Sequence, residues 1–403
     1  MAGALSHIRV LDLTRVLAGP WATQFLADMG AEVIKIERPR LGDDTRHWGP
    51  PFALEPTADD PGLSAYYLCA NRGKHSVTID FERPEGQALV RRIAETADVV
   101  VENFKTGGLA KYGLDYQSLK AVNPSLVYCS ITGFGQTGPY SRRVGYDFLI
   151  QGMGGLMSLT GPADGEPSKV GVAMSDVVTG FNALSGILAA LVRRERTGEG
   201  EHIDVALLDC TVAALINQAS SYLVSGEVPE RLGNQHPTTV PNQPFETADG
   251  RIIVLVGNDA QFARLAAAMG LARVAEDERY RTMRARIVNR QEIVEILERE
   301  FRTRPSAYWI ERLEKVSIPC GPINTLEQVF ADPQIEARGL RRELTHERAG
   351  VLPVVANPVR FASGPTTAAK APPMLGEDTA TVLRRLLGLQ DDEIAELRTK
   401  RVL

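Results

Sequence analysis

The chain has 403 residues, 44% of them hydrophobic and 24% charged, and carries a formal net charge of −5. That length accommodates two domains with a sizeable core, and the balance excludes a fibrous or intrinsically disordered chain. The 45 basic residues are spread along the sequence without a polybasic arm, so nucleic acid is not expected as a partner. The opening MAGALSHIRVLDL has neither a basic n-region nor a signal-type apolar run, which points to a cytoplasmic location. No stretch of 18 uninterrupted apolar residues occurs, and no membrane span is expected. Cys69, Cys129, Cys210 and Cys320 lie far apart, without CxxC or Cys/His spacing, and read as buried thiols rather than disulfides or zinc ligands.

In chain order, IRVLDLT (8–14) reads as a strand, WATQFLADMG as a helix and AEVIKIE (31–37) as a strand, the βαβ opening of an α/β domain. SVTIDF, a helix from Pro84 to Ala97, DVVVENF and SLVYCSITGFG continue the alternation. These strands are continuous β-rich runs, as parallel strands covered on both faces are. GVAMSDVVTGFNALSGILAAL (171–191) reads as a helix: Val177, Phe181, Leu184, Leu188 and Leu191 recur at three- and four-residue steps. Gly180, Ala183, Gly186 and Ala190 would let another backbone close on it. TGEG (197–200) stops this helix, and HIDVALLDCTVAALI follows as a strand turning into a helix. From about residue 225 the texture changes to Pro, Gly, Asn and Gln, and ADGRIIVLVGND with the helical stretches of 260–315 reads as a second domain. SIPCGPIN (317–324) and NPVRFASGP (357–365) read as loops, and the final LGEDTATVLRRLLGLQDDEIAELRTKRVL as two helices.

For chemistry, Asp176 stands just ahead of the apolar helix, where an aspartate is either an N-cap or an isolated nucleophile. GFGQTG and GMGGLMSLTG are glycine-rich but neither is GxGxxG, which disfavours a nicotinamide dehydrogenase. GxxxxGK[ST] and GxSxG are both missing, removing the usual signals of triphosphate and serine hydrolase chemistry. The six histidines lack metal spacing, and no metal site is expected. ERPRLGDDTRHWGPPF (37–52) and NRGKHS (71–76) place Arg or Lys just after a strand or turn. There cations and loop amides can hold phosphate together, or simply form a solvated surface run.

VLDLTRVLAGP, LADMGAEVIKIERPRLGDDTR, NRGKHSVTID, VVENFKTGGLAKYGLDY, YCSITGFGQTGPY, AMSDVVTG and RTGEGEHIDVALLD, in this order, resemble the family III CoA-transferases, also called the CaiB/BaiF family. The resemblance runs essentially the whole chain, through IPCGPINTLEQVFADPQ (318–334) and PPMLGEDT (372–379). DDTRHWGPPF and YCSITGFGQTGP bring it nearest to the group containing succinate-hydroxymethylglutarate CoA-transferase. What the resemblance implies is an α/β fold: a large Rossmann-like domain with a parallel sheet, built from 1–224 with 331–403 returning to it, and a smaller α/β domain at 225–330. Two chains would interlock as rings in a homodimer. Acyl-CoA and a free carboxylic acid would be the substrates, with no permanently bound cofactor.

The resemblance also implies roles for individual residues. Asp176 would attack the thioester and carry the acyl group as an anhydride and then CoA as a thioester. Arg38, Arg72, Lys74 and Lys111, with Asn103 and Phe104 of the VENF phrase, would contact CoA. Formyl-CoA transferases have Gln at the place of Leu17 and Lys at that of Thr132, so a longer acid than formate or oxalate is implied. A dicarboxylate of the glutarate, hydroxymethylglutarate, itaconate or malate type, with succinyl-CoA as donor, would suit that lining. Arg15 and Arg46 are its candidate carboxylate partners, through bidentate pairing. The tetraglycine lid of the formyl-CoA branch is replaced by GNQHPTTVPN (233–242), leaving Gln235 and His236 as candidates to cover the site. The nearest competing activity, 2-methylacyl-CoA racemase, needs a second acid/base and carries His in a GHD phrase. Here the phrase is GYDFLIQG, with Tyr146 against the substrate instead, and a phenol is a poor proton acceptor at neutral pH. A noncatalytic acyl-CoA binder ranks third.

Overall fold

Six apolar runs of the sequence become six parallel strands: β1 (Arg9–Asp12), β2 (Glu32–Glu37), β3 (Lys74–Thr78), β4 (Val99–Glu102), β5 (Val127–Thr132) and β6 (Glu201–Ala206). A computed structural model describes residues 3–362, 364, 366, 368 and 370–403. Ser363 and Pro365 of the expected NPVRFASGP loop therefore lie outside the described residues. The strands pair in the order β3-β2-β1-β4-β5-β6. Every residue of β4 and β5 is buried, as a sheet covered on both faces requires. Successive side chains go to opposite faces. Val10, Val99 and Cys129 join one core with Phe25 and Leu26 of α1 (Ala18–Asp28). Leu11, Val100 and Tyr128 join the other with Val90 and Ile93 of α2 (Pro84–Glu95).

This unit comprises Met1–Leu156, Lys169–Gly226 and Gln334–Leu403. Its further helices include α3 (Asp147–Met153), α4 (Met174–Thr197), α5 (Ile216–Ser225), α6 (Thr379–Leu387) and α7 (Asp391–Thr399). The last two bring Val382, Leu383 and Ile394 into the second core, so the C-terminal tail completes that layer. The 24-residue α4 has the length and apolar composition of a membrane span, yet it buries Ala183, Leu184, Ile187 and Leu191 in the first core. The expected small-residue face is buried, and of the expected apolar stripe Leu184 and Leu191 are buried as well. Phe181 alone of that stripe is exposed, while Thr179, Gly180, Ala183 and Ala190 face inward. A Cβ on Gly180 would lie 2.9 Å from the Ala18 carbonyl, so α1 and α4 pass too close for any larger residue.

Met157–Ser168 and Glu227–Pro333 form the second unit. The expected single domain over 1–224 is therefore interrupted: Arg231 donates to the carbonyls of Pro162 (3.3 Å) and Gly165 (2.6 Å), which ties that excursion to the smaller unit. Its three-stranded antiparallel sheet runs Cys320–Pro322, Arg251–Leu255, Asn242–Glu246. Ile252 and Val254 alternate inward onto a core with Phe245, Leu265, Phe301 and Trp309. A ribbon of Phe52–Leu54 with Leu63–Ser64 and a hairpin of Arg341–His346 with Gly350–Val355 were not anticipated. Cys129 and Cys210 are buried as expected, whereas Cys69 is exposed.

Candidate active site

Growth of the sheet reverses between β1 and β4, and outside the carboxyl ends of the strands around that point lies a cavity of about 880 Å³. Open parallel sheets take ligands at this place because the connections on either side run to opposite faces and leave a crevice. The loop after β1, Leu13 to Ala18, forms one wall and is tightly held. Asp12 at its base accepts from the Thr14 amide (2.9 Å), Thr23 Oγ1 (2.7 Å) and Lys74 Nζ (3.0 Å). Burial alone would raise this carboxyl, but Lys74 and Lys35, with the hydroxyls of Thr14 and Thr23, outweigh it and hold Asp12 at about 2. Four residues after Asp12, Val16 has φ +71°, a conformation that a β-branched residue adopts only under constraint. The constraint is visible: the Val16 amide donates to Asp43 Oδ1 (3.2 Å), and Asn103 grips Arg15 by both backbone groups. Its Oδ1 accepts from the Arg15 amide (2.9 Å) and its Nδ2 donates to the Arg15 carbonyl (2.6 Å).

Asp176 lines the cavity from the first turn of α4. It is not the N-cap. Ala173 occupies that position, and the Ser175 amide donates instead to Asp147 Oδ1 on α3 (2.8 Å). Relieved of capping, the Asp176 carboxyl is pushed up to about 7, first by burial and then by the negative charge of Asp147, against a hydrogen bond from the Ala18 backbone. The same field reaches Tyr66, whose phenol burial and Asp176 raise to about 12. Nothing in the sequence marked Tyr66, whereas Asp147 stands beside Tyr146 in the GYD phrase.

If the ionised carboxylate is the reactive form, kcat/KM should rise with pH through about 7 and level off above. Asp147→Asn keeps an oxygen for the Ser175 amide but removes the repulsion, so the acid limb should move to lower pH. A pH profile of both proteins checks this.

The structure brings Arg15, Arg38, Asn103, Phe104, Lys111 and Tyr146 together around the cavity. The Arg15 guanidinium lies 5.0 Å from the Phe104 ring centroid, and Arg38 meets Asp44 Oδ1 at 2.5 Å. Three expected contacts are elsewhere. Lys74 is fully buried and spends its donors on Asp12, the Pro20 carbonyl and Asn71 Oδ1. Arg72 forks onto both oxygens of Asp28 at 2.8 and 2.6 Å. Arg46, also fully buried, forks onto Glu37 at 2.8 and 2.7 Å and donates to the Tyr67 hydroxyl, so it is a core residue rather than a carboxylate receptor. Gln235 and His236 belong to the smaller unit, where the His236 carbonyl accepts from Arg290 (2.9 Å), and the cavity is lined without them. Leu17 and Thr132 do line it, and both are buried. Among the described residues no cluster of three or more His, Cys, Asp or Glu is placed to hold a metal ion.

The crevice thus joins a desolvated carboxylate to a set of cations that can hold an anionic ligand. The chain matches the model of CoA-transferase family III over residues 5–379 and belongs to that family. It is 53% identical to succinate–glutarate CoA-transferase of Agrobacterium fabrum over 383 residues, 95% of each chain. To succinyl-CoA:glutarate CoA-transferase of Homo sapiens it is 42% identical over 393 residues, 98% of this chain and 88% of the relative. The crystal structure of a CaiB/BaiF family protein from Brucella suis superposes with a TM-score of 0.84 at 48% identity, covering 96% of this chain and all of that one.

Proposed function

We propose that this protein transfers CoA from succinyl-CoA to a dicarboxylic acid, glutarate foremost, with Asp176 as the covalent carrier. The observation that carries the reading is the desolvated Asp176 carboxylate in the wall of a cation-lined cavity. Relatives named for succinyl-CoA with glutarate and with mesaconate support the substrate class. The carboxylate attacks the thioester carbonyl, the carbon–sulfur bond breaks, and CoA thiolate leaves an acyl-aspartyl anhydride. The thiolate then attacks the aspartyl carbon, releasing succinate and leaving an aspartyl-CoA thioester. The acceptor carboxylate attacks that thioester, and the same two steps in reverse deliver acceptor-CoA and free Asp176. Each intermediate is itself an activated acyl group, so no step climbs far. The start of α1 offers the Ala18 amide beside the carboxyl where charge comes and goes.

Arg15 is the residue we assign to the acceptor's distal carboxylate. It lines the cavity, is held at its backbone by Asn103, and its buried Nε has no hydrogen-bond partner among the described residues. Arg15→Gln should therefore cut kcat/KM for glutarate by about tenfold to a hundredfold, and for a monocarboxylate of equal length far less. The exposed apolar residues of α3 and α5, Leu223 and Val224 at 79% and 89% among them, support a homodimer, interlocked as the family resemblance implies. A cytoplasmic location agrees with this use of CoA. The direct test offers succinyl-CoA with a panel of mono- and dicarboxylic acids and identifies the acyl-CoA products by mass spectrometry. New glutaryl-CoA supports the reading; α-proton exchange on a 2-methylacyl-CoA without CoA transfer would replace it with racemisation.

A further inference from the structure

The cavity has a second cationic wall, and of its residues only Lys111 belongs to the family motifs. Arg398 and Arg401, at the end of α7, line it together with Arg83 and Lys111. This wall stands over the β3 edge, whereas Asp176 lines the cavity beside the Ala18 backbone, in the loop after β1. Two strand spacings separate β3 from β1, roughly 10 Å, and the cavity runs on past them to Thr132 and Gly133 after β5. An extended ligand with its reactive end at Asp176 would reach this wall with its far end.

The carboxylates near the wall are already engaged. Asp80 accepts from Arg83 Nε (3.1 Å), and Glu82 accepts from the Tyr112 hydroxyl (3.3 Å). The guanidinium groups of Arg398 and Arg401 make no hydrogen bond or ion pair among the described residues. The backbone that carries them is nevertheless well fixed. The Val402 amide donates to the Leu397 carbonyl (2.9 Å), the Arg401 amide to that of Arg398 (2.9 Å), and the Val402 carbonyl accepts from the Asp80 amide (2.8 Å). That is a Schellman turn, with the apolar Val402 and Leu397 packed in the same core. Its left-handed position, where glycine is favoured, is held by Arg401 at φ +56°. A strained arginine with an unpaired head, on a rigid turn facing a ligand cavity, is a feature that packing does not account for.

We infer that Arg398 and Arg401 form the subsite for the outermost phosphate of the CoA substrate, the one on the ribose 3′ position. The inference rests on the proposed CoA chemistry, and its test needs no turnover. CoA and 3′-dephospho-CoA are titrated by calorimetry into the full-length protein, the Arg398→Ala variant, the Arg401→Gly variant and the double variant. The double variant should lose about tenfold or more in affinity for CoA and almost none for 3′-dephospho-CoA. Arg401→Gly should also unfold at a higher temperature, because glycine relieves the positive φ; this shows that weaker binding is not a folding defect. Unchanged CoA affinity in the double variant, or an equal loss for both ligands, overturns the inference. Should the discrimination appear while no CoA transfer is found, the subsite stands and the proposed reaction fails.

Discussion

Asp176→Ala is expected to lower kcat/KM for CoA transfer on the order of 10⁴-fold or more, because the carrier of both covalent intermediates is gone. CoA affinity should persist, since the cations and the Asn103–Arg15 clamp are untouched. The same substitution should stabilise the protein. The carboxyl is raised in the folded chain to about 7 from 3.8, so its ionisation opposes folding. That cost is absent below 3.8, grows as pH rises between the two values and is full above about 7. The variant should therefore gain melting temperature at pH 8 and none at pH 3, while its activity is lost at every pH. Assays of transfer and thermal unfolding on one preparation check both halves.

The largest loss of stability should come from Arg46→Ala. Glu37, buried beside it, accepts two hydrogen bonds from the guanidinium and one each from Ser76 Oγ (2.6 Å) and the Asp43 amide (2.9 Å). Removing Arg46 leaves that carboxylate desolvated and short of its countercharge, at a cost of about 3–5 kcal/mol, or roughly 10 °C in melting temperature. The sign with pH is distinctive. Burial would raise Glu37, but Arg46, with Lys35 and the Ser76 hydroxyl, outweighs burial and holds it low in the native protein, which therefore loses stability as acid protonates it. In the variant Glu37 is unpaired, so protonation relieves the defect and the deficit should shrink as pH falls. Acceptor preference in the folded fraction should be unchanged. A shift in that preference would return Arg46 to the acid-binding site.

These two residues mark how far the sequence could be read. Strands β1 to β6 were legible because each is a short β-rich apolar run between turn signals, and Asp176 because it stands alone before an apolar helix. The cations after strands were a poorer guide. Lys74, Arg72 and Arg46 have the spacing of phosphate ligands, but their partners Asp12, Asp28 and Glu37 lie 62, 44 and 9 residues away: the pairing of β1, β2 and β3 brings Lys74 to Asp12, Arg72 meets the end of α1, and the turn after β2 folds Arg46 back onto Glu37. A local reading finds the charge of Lys74 and Arg72 and misses the distant neutraliser. The capping of α4 failed for the same reason, since Asp147 reaches its amide from another helix. Arg398 and Arg401 were invisible because their meaning depends on the tail returning to the β3 edge, fixed by the hydrogen bond from Asp80 to Val402.

The covalent role of Asp176 is tested most directly by trapping. The protein is mixed with succinyl-CoA, quenched with hydroxylamine and digested with trypsin, and the peptide of residues 170–193 is examined by tandem mass spectrometry. A hydroxamate on Asp176, dependent on succinyl-CoA, is the predicted result. An unmodified Asp176 in protein that is turning over, or a hydroxamate on another carboxylate, would contradict it.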